Sequence, residues 1–317
     1  MFHNFAIVRE SPVPFARHAA KKELIMLYPL YPKSKWPLVT LVSVVWIWSA
    51  PTQGQPAKGK PNLTCAEMEQ FLRDAKIGRQ RNIPKGVTLP KRATLTSDDG
   101  RIVHDASIQT IHESKTAFTT LLGSELNFKD WCEFNVAAYE LAKLLDLNMV
   151  PPYVERKVGG KSASLSWWIN DAMMEVDRIR KKLDPPDLDT WNKEMYILRV
   201  FNQLIYNTDD NLTNVLISPD WHLWMIDFTR AFRAHKDIAQ VKNLVQCDRT
   251  LLAKMKELNN EVLKEKMRRY VTAAEIDGLL ARRDKIVKFF EDEVAKKGEA
   301  AVLFDLPRVG QSCGVGL

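Results

Sequence analysis

Asn207-Thr208-Asp209-Asp210-Asn211-Leu212-Thr213-Asn214, followed by Trp224-Met225-Ile226-Asp227-Phe228-Thr229-Arg230-Ala231-Phe232, decides how this chain reads. Asp209 and Asn214 stand five positions apart, and a second acid, Asp227, lies beyond them. Two carboxylates and an amide form an all-oxygen donor set, which suits a hard divalent cation such as Mg2+ or Mn2+ and needs no thiolate. Asp and Asn are also ordinary turn residues, so a loop that only reverses the chain is the competing reading for any one of them. Their context favours the cation. Val215-Leu216-Ile217-Ser218 is an apolar run, Pro219-Asp220 a turn, and Leu223-Trp224-Met225-Ile226 a second run. Together they predict a β-hairpin with Asn214 at its start and Asp227 at its exit. Upstream, Met195, Ile197, Leu198, Val200, Phe201, Leu204 and Ile205 recur with helical period between Trp191 and Tyr206. Such a helix would deliver Asp209 to the same end of the hairpin.

Working outward toward the N-terminus, Thr64-Cys65-Ala66-Glu67 reads as a capping box opening a short helix with Met68, Phe71, Leu72 and Ala75 on its apolar face. Lys76 to Val87, Lys91 to Thr96 and Arg101 to Ile111 then read as three strands of a meander, parted by turns at Lys85-Gly86 and Ser97-Asp98-Asp99-Gly100. The first turn, Lys85-Gly86-Val87-Thr88, could lie over phosphates through backbone amides and the Thr88 hydroxyl. It lacks the GxGxxG spacing, and plain hairpin chemistry explains it equally well. From Phe128 to Leu147 the spacing of Trp131, Phe134, Val136, Ala137, Tyr139, Leu141, Leu144 and Leu145 predicts a helix packed behind the sheet. Two further strands, Tyr153 to Lys157 and Ser162 to Ile169, joined at Gly159-Gly160, would complete five strands. Toward the C-terminus, Thr272-Ala273-Ala274-Glu275 is a second capping box, and Ile276, Leu279, Leu280, Ile286, Val287, Phe290 and Val294 form an apolar stripe that ends before Gly298.

The chain has 317 residues, 45% of them hydrophobic and 27% charged, which is a globular composition with room for two lobes around a cleft. Its net charge of +7 and pI near 9.1 come from Lys and Arg interspersed with acids, so a solvated basic surface, or attraction for an anionic substrate, accounts for them. No nucleic-acid recognition motif accompanies the charge, and no specific nucleic-acid partner is expected. Cys65, Cys132, Cys247 and Cys313 form no CxxC pair, which indicates neither a zinc site nor a disulfide framework. The absence of HExxH removes the zinc-protease reading.

Residues 1–60 differ from the rest. A basic stretch ending Lys33-Ser34-Lys35 precedes the apolar run Trp36 to Trp48, then the small residues Ser49-Ala50 and a Pro/Gly/Gln linker. This pattern is that of a signal peptide or N-terminal anchor, with export or membrane association as its consequence. A buried element of the domain is the competing reading, and would leave the chain cytoplasmic.

Laid end to end, the meander, the helix bearing Val136-Ala137-Ala138-Tyr139, the Pro151-Pro152 exit and the Asp209/Asn214/Asp227 set resemble the atypical protein-kinase-like superfamily. The bacterial relatives of phosphatidylinositol kinases, toxin-type serine kinases and secretory-pathway kinases are the branch most similar to it. The resemblance spans about residues 64 to 295 and implies an α+β, two-lobed fold. An antiparallel sheet lobe with a packed helix (61–170) would be followed by a mainly helical lobe carrying the catalytic hairpin (171–300) and a tail (301–317). It also implies ATP with Mg2+ or Mn2+, Asp209 as the catalytic acid, and Asn214 and Asp227 as metal ligands. Trp168 and Ile169 would fall at the connection between lobes, where backbone meets adenine. Lys85, Gly86 and Thr88 would cover the phosphates, and Arg230 would orient the segment after Asp227.

Departures from the family pattern carry equal weight. The Lys and Glu that pair to position phosphates fall at Gln109 and Asn135, both amides. A lone Lys-to-Gln change would strand a buried Glu, so a matched amide pair is the coherent replacement. Lys115 or Lys129, with Glu133 or Glu140 as partner, could supply the missing charge. Thr229 stands where kinases have Gly, and should stiffen the segment. Three functions follow: a phosphotransferase with an unidentified hydroxyl acceptor, a pseudokinase that binds nucleotide without transfer, and an ATP-dependent nucleotidyltransferase.

Overall fold

The computed structural model of the chain describes residues 63–83, 90–120 and 123–307. The N-terminal apolar run and the Lys85-Gly86-Val87-Thr88 turn lie outside the described residues. Helix α1 (Cys65–Asp74) begins with the expected capping box, in which Thr64 and Glu67 satisfy each other's free amides. Its buried face of Met68, Phe71 and Leu72 lies on a five-stranded sheet of order β1-β2-β3-β7-β6. The strands are β1 (Lys76–Asn82), β2 (Lys91–Thr96), β3 (Val103–Gln109), β6 (Tyr153–Val158) and β7 (Lys161–Trp167), every pairing antiparallel. Two-residue periodicity puts Ala93, Leu95, Ala106 and Ile108 into the core beneath α1.

Between β3 and the next helix the chain makes an excursion that sequence periodicity hides. β4 (His112–Thr120) and β5 (Gly123–Trp131) pair only with each other, as a long hairpin outside the main sheet. Helix α2 therefore runs Glu133–Leu144 and does not start at Phe128, which corrects the sequence expectation. Phe128 fits the helical spacing by coincidence. It is buried as a strand residue, stacked on Phe118 at 4.3 Å, with the guanidinium groups of Arg230 and Arg233 over its ring. The remaining side chains of β4 are mostly polar and exposed, so no apolar pattern announced the hairpin.

Helix α2 is the hub between the lobes. Phe134, Ala137, Ala138, Leu141 and Ala142 are fully buried. Burial of a side chain such as Phe134 or Leu141 contributes about 1.5–3 kcal/mol. The chain then enters the helical part through the short strand β8 (Met173–Met174) and α3 (Glu175–Lys181). Next comes α4 (Leu188–Ile205), with Leu198, Val200, Phe201, Leu204 and Ile205 inaccessible. The predicted hairpin follows as β9 (Val215–Ile217) and β10 (Leu223–Met225), joined by β8 into a three-stranded sheet. A two-residue strand, β11 (Cys247–Asp248), leads through α5 (Arg249–Glu257) and α6 (Asn260–Met267) to α7 (Ala273–Lys297). Helix α7 starts at the second capping box, between Thr272 and Glu275. After α8 (Glu299–Val302), β12 (Leu303–Phe304) returns to pair in parallel with β11.

Cys132 and Cys247 are buried free thiols, whereas Cys65 is disulfide-bonded, a cross-link that the wide cysteine spacing did not indicate. No helix among the described residues is long and apolar enough to cross a membrane.

Candidate functional site

Helix α4 ends at Tyr206, whose left-handed backbone (φ 50°) turns the chain into the loop that carries Asp209. Side-chain amides then shape the loop. Asn207 accepts from the Asp209 N–H, Asn211 Nδ2 donates to the Asp209 carboxylate at 3.1 Å, and Asn202 of α4 ties down the neighbouring Asp210 at 2.6 Å. Asn214 Nδ2 donates to the Asp209 carbonyl at 3.0 Å, so its amide oxygen remains as an acceptor. Across β9 and β10, the Ile226 N–H donates to the Asn214 carbonyl, which sets Asp227 beside Asn214 at the mouth of the hairpin. Asp227 itself adopts φ 61°, a left-handed conformation that costs an Asp less than most residues.

Gln109 and Asn135 meet as an amide pair, and their orientation is fixed by a backbone group. Phe228 N–H donates to Asn135 Oδ1 at 2.7 Å, which forces Asn135 Nδ2 toward Gln109 Oε1 (2.6 Å) and Ser164 Oγ (3.1 Å). Gln109 must then present its own Nε2 to Asp227 Oδ1, at 2.9 Å. A one-way relay thus runs from the β10 exit, through α2 and β3, back to Asp227. Asn135 is completely inaccessible, so every one of its hydrogen bonds counts fully.

The carboxylates crowd one another. Burial pushes Asp227 above the usual carboxylate range; Gln109 opposes the shift, while Asp209 and Asp130 add to it. Burial likewise raises Asp209, against the pull of Arg230 and Asn211 and with the help of Asp130. Asp130, at the end of β5, is a third acid at the centre that sequence reading missed. It is buried, its Oδ2 accepts from Arg230 Nε at 2.9 Å, and its Oδ1 has no hydrogen-bond partner. Its only sequence signal was a strand-end acid inside a stretch assigned to helix. A site that holds two carboxylates above their usual range, with an amide oxygen beside them, fits a divalent cation, whose charge would relieve their repulsion. Asn214 and Asp227 are the residues that would hold it.

Both face a cleft of about 370 Å3 between the sheet and the helical part. Ser107 and Gln109 of β3, Tyr153, Ser166 and Trp168 line one wall; Met173, Met174, Asp177, Thr213 and Leu216 line the other. Ile83 and Pro90, which flank the undescribed turn, reach the same cleft. Trp168 and Ile169 stand at its back, but Trp168 has committed its backbone. Its N–H donates to the Asp105 carbonyl at 3.1 Å and its carbonyl meets His104 Nε2 at 2.9 Å. The Arg92 guanidinium covers its ring at 4.2 Å.

The alternative cations are engaged elsewhere. Lys129 pairs with Glu275 of α7 at 2.6 Å and Lys115 with Glu113 on the exposed hairpin; neither pairs with Glu133 or Glu140. Arg230 bonds Asp130, and its backbone oxygen accepts from the Thr208 N–H at 3.2 Å. Thr229 is buried, with its hydroxyl 3.3 Å from Asp227 Oδ1.

Solved structures share this arrangement of lobes, a kinase among them. A hydra Fam20 solved with sugar superimposes with a TM-score of 0.57 at 13% identity, over 76% of this chain and 92% of that one. The fold is protein-kinase-like. A Golgi casein kinase matches with a TM-score of 0.55 at 12% identity, over 77% and 80% of the two chains. The same kinase with Mn/ADP bound matches with a TM-score of 0.54. No family model and no curated protein matches the chain by sequence. The likeness therefore establishes an α+β, two-lobed fold and nothing finer, and the chemistry has to be argued from the site itself.

Proposed function

We propose that the cleft binds ATP with Mg2+ or Mn2+ and that the protein transfers the γ-phosphoryl group to a hydroxyl. The observation that supports it most is that Asn214 and Asp227, at the two ends of a hairpin, line the cleft together, with Asp209 held next to them through its carbonyl, which accepts from Asn214 Nδ2. A divalent cation held by Asn214 and Asp227 would neutralise phosphate charge and orient the triphosphate. Asp209 has a different task. As the acceptor oxygen bonds to the γ-phosphorus and the bond to the bridging oxygen of ADP breaks, the hydroxyl proton passes to its carboxylate. A carboxylate raised by burial is a better proton acceptor than a free one, which favours that role. Adenine would lie at the back of the cleft against Ile169, because the Trp168 backbone is already satisfied.

The amide pair Gln109–Asn135 supports a second reading, a nucleotide-binding pseudokinase, since it removes the usual positive charge on phosphate while keeping α2 docked. ATP labelled at the γ or the α phosphate separates the cases. Transfer of the γ label supports phosphotransfer, transfer of the α label supports nucleotidylation, and binding with neither supports the pseudokinase. Asp209→Asn should keep nucleotide affinity and lose transfer. The Cys65 disulfide supports the export reading of the N-terminal segment, because such bonds persist in oxidising compartments.

A further inference from the structure

Phosphoryl transfer needs positive charge against the group that moves, and the described walls of the cleft offer none. Asp177 and Asp227 are the charged residues among the described lining, with neither Lys nor Arg. Gln109, where a Lys is expected, gives only a neutral N–H, and it is spent on Asp227. Lys129 is neutralised by Glu275, Arg92 by Asp105, and Arg233 by Glu125. Arg230 differs from all of these in its placement. Its backbone is pinned to Thr208, next to Asp209, and it lies three residues beyond Asp227. Its side chain is held by Asp130, and β5 is fixed in turn by the Trp131 N–H donating to the Thr229 carbonyl at 2.8 Å. The guanidinium senses Asp130, Asp209 and Asp227 together, and these outweigh the opposing effect of its burial. Asp130 accepts from Nε, the guanidinium lies over the Phe128 ring at 5.4 Å, and the Arg230 side chain as a whole is 25% exposed.

Building on the phosphotransfer reading, we infer that Arg230, aimed by Asp130, is the catalytic cation that faces the phosphoryl group in transfer and replaces the charge absent at Gln109. Asp130 is a positioning residue, whose partnerless Oδ1 keeps negative charge behind the guanidinium without a competing donor. An arginine in this place stabilises charge that builds on the equatorial oxygens as the bond to ADP breaks, and adds little to ground-state nucleotide binding. The β4–β5 hairpin thereby gains a purpose: it carries Asp130 from the sheet lobe to the segment after Asp227. Lys85, outside the described residues, is the rival donor.

The test measures binding of MgADP to the full chain, with and without aluminium fluoride as a mimic of the group in transfer. Wild type should bind MgADP and bind it at least tenfold more tightly with the fluoride. Arg230→Gln should keep MgADP affinity within threefold and lose the enhancement; Arg230→Lys, which keeps the charge, should retain part of it, and Asp130→Ala should weaken it. Enhancement that survives in Arg230→Gln, or that is lost in Lys85→Ala while Arg230→Gln retains it, overturns the inference. So does an equal loss of MgADP and fluoride-complex affinity in Arg230→Gln and Arg230→Lys, the mark of a structural role. Wild type that binds MgADP without enhancement refutes this inference alone, whereas wild type without MgADP affinity refutes the nucleotide reading beneath it.

Discussion

Replacing Asn135 by Asp changes one amide nitrogen to oxygen at a completely inaccessible position, and the structure sets the cost. The acceptor for Phe228 N–H survives. Both donated bonds vanish, at 2.6 Å to Gln109 and 3.1 Å to Ser164. Ser164 can rotate its hydroxyl and donate to the new carboxylate, but Gln109 has to turn its amide over. Its oxygen would then face Asp227 Oδ1, now 2.9 Å from its nitrogen, so Asp227 loses the Gln109 donor beside a second buried acid. Breaking a buried charged network in this way costs about 3–5 kcal/mol. For a domain of this size the melting temperature should fall by roughly 6–20 °C. Gln109→Lys in the same chain puts an ammonium between the two carboxylates and should return at least ~2 kcal/mol, whereas Gln109→Lys alone faces Asn135 and gains only Asp227. Urea titrations of the four chains of this double-mutant cycle give the coupling energy. Additivity to within about 0.5 kcal/mol would show that the two side chains do not act as a pair.

Three other perturbations test separate parts of the fold. Asp227→Asn should lose metal-dependent nucleotide binding yet stabilise the metal-free protein. The raised carboxyl favours folding only while protonated, and that contribution is lost as pH rises, so at neutral pH the ionised form is a burden. The gain should be about 1–3 kcal/mol, read as a higher melting temperature in chelator, and a lower one would contradict the electrostatics. His222 holds the β9–β10 hairpin to α4 through Glu194 (2.7 Å) and to the Asn148 carbonyl (2.5 Å), so both ring nitrogens face acceptors. Burial pulls its pKa down, but Glu194, Asn148 and Asp220 carry it above the ordinary 6.5. Stability from this group is therefore complete below about pH 6.5 and is lost as pH rises through the higher folded value. Melting curves of wild type and His222→Gln should converge at alkaline pH, and a gap independent of pH would rule the imidazolium out. Gly278→Ala would place a Cβ 2.9 Å from the Ala234 backbone. The crowding should outweigh the roughly 1 kcal/mol of better helix propensity and give a net loss of about 1–3 kcal/mol by urea denaturation, with unchanged m.

Local chemistry was enough to determine much of this protein. The two capping boxes, the apolar face of α4 and the turn between β9 and β10 depend on neighbours within a few residues, so their patterns survive in the sequence. The spacing of Asp209, Asn214 and Asp227 was legible for the same reason: one loop and one hairpin carry all three. Gln109 and Asn135 could be named from a family pattern, but the direction of their relay depends on Phe228 N–H, which belongs to a different element. Other features arise only when distant segments meet. The β4–β5 hairpin pairs within itself and exposes polar side chains, so it leaves no apolar period, while Phe128 at its end mimics the start of α2. Asp130 gains its meaning from Arg230, a hundred residues further on. Arg282 reads as a polar residue of α7, yet its guanidinium is buried against the carbonyls of Leu204, Arg233 and His235. Sequence records which side chains can bond and pack locally; tertiary structure decides which buried charge meets which partner, because that energy depends on distances set by the whole fold.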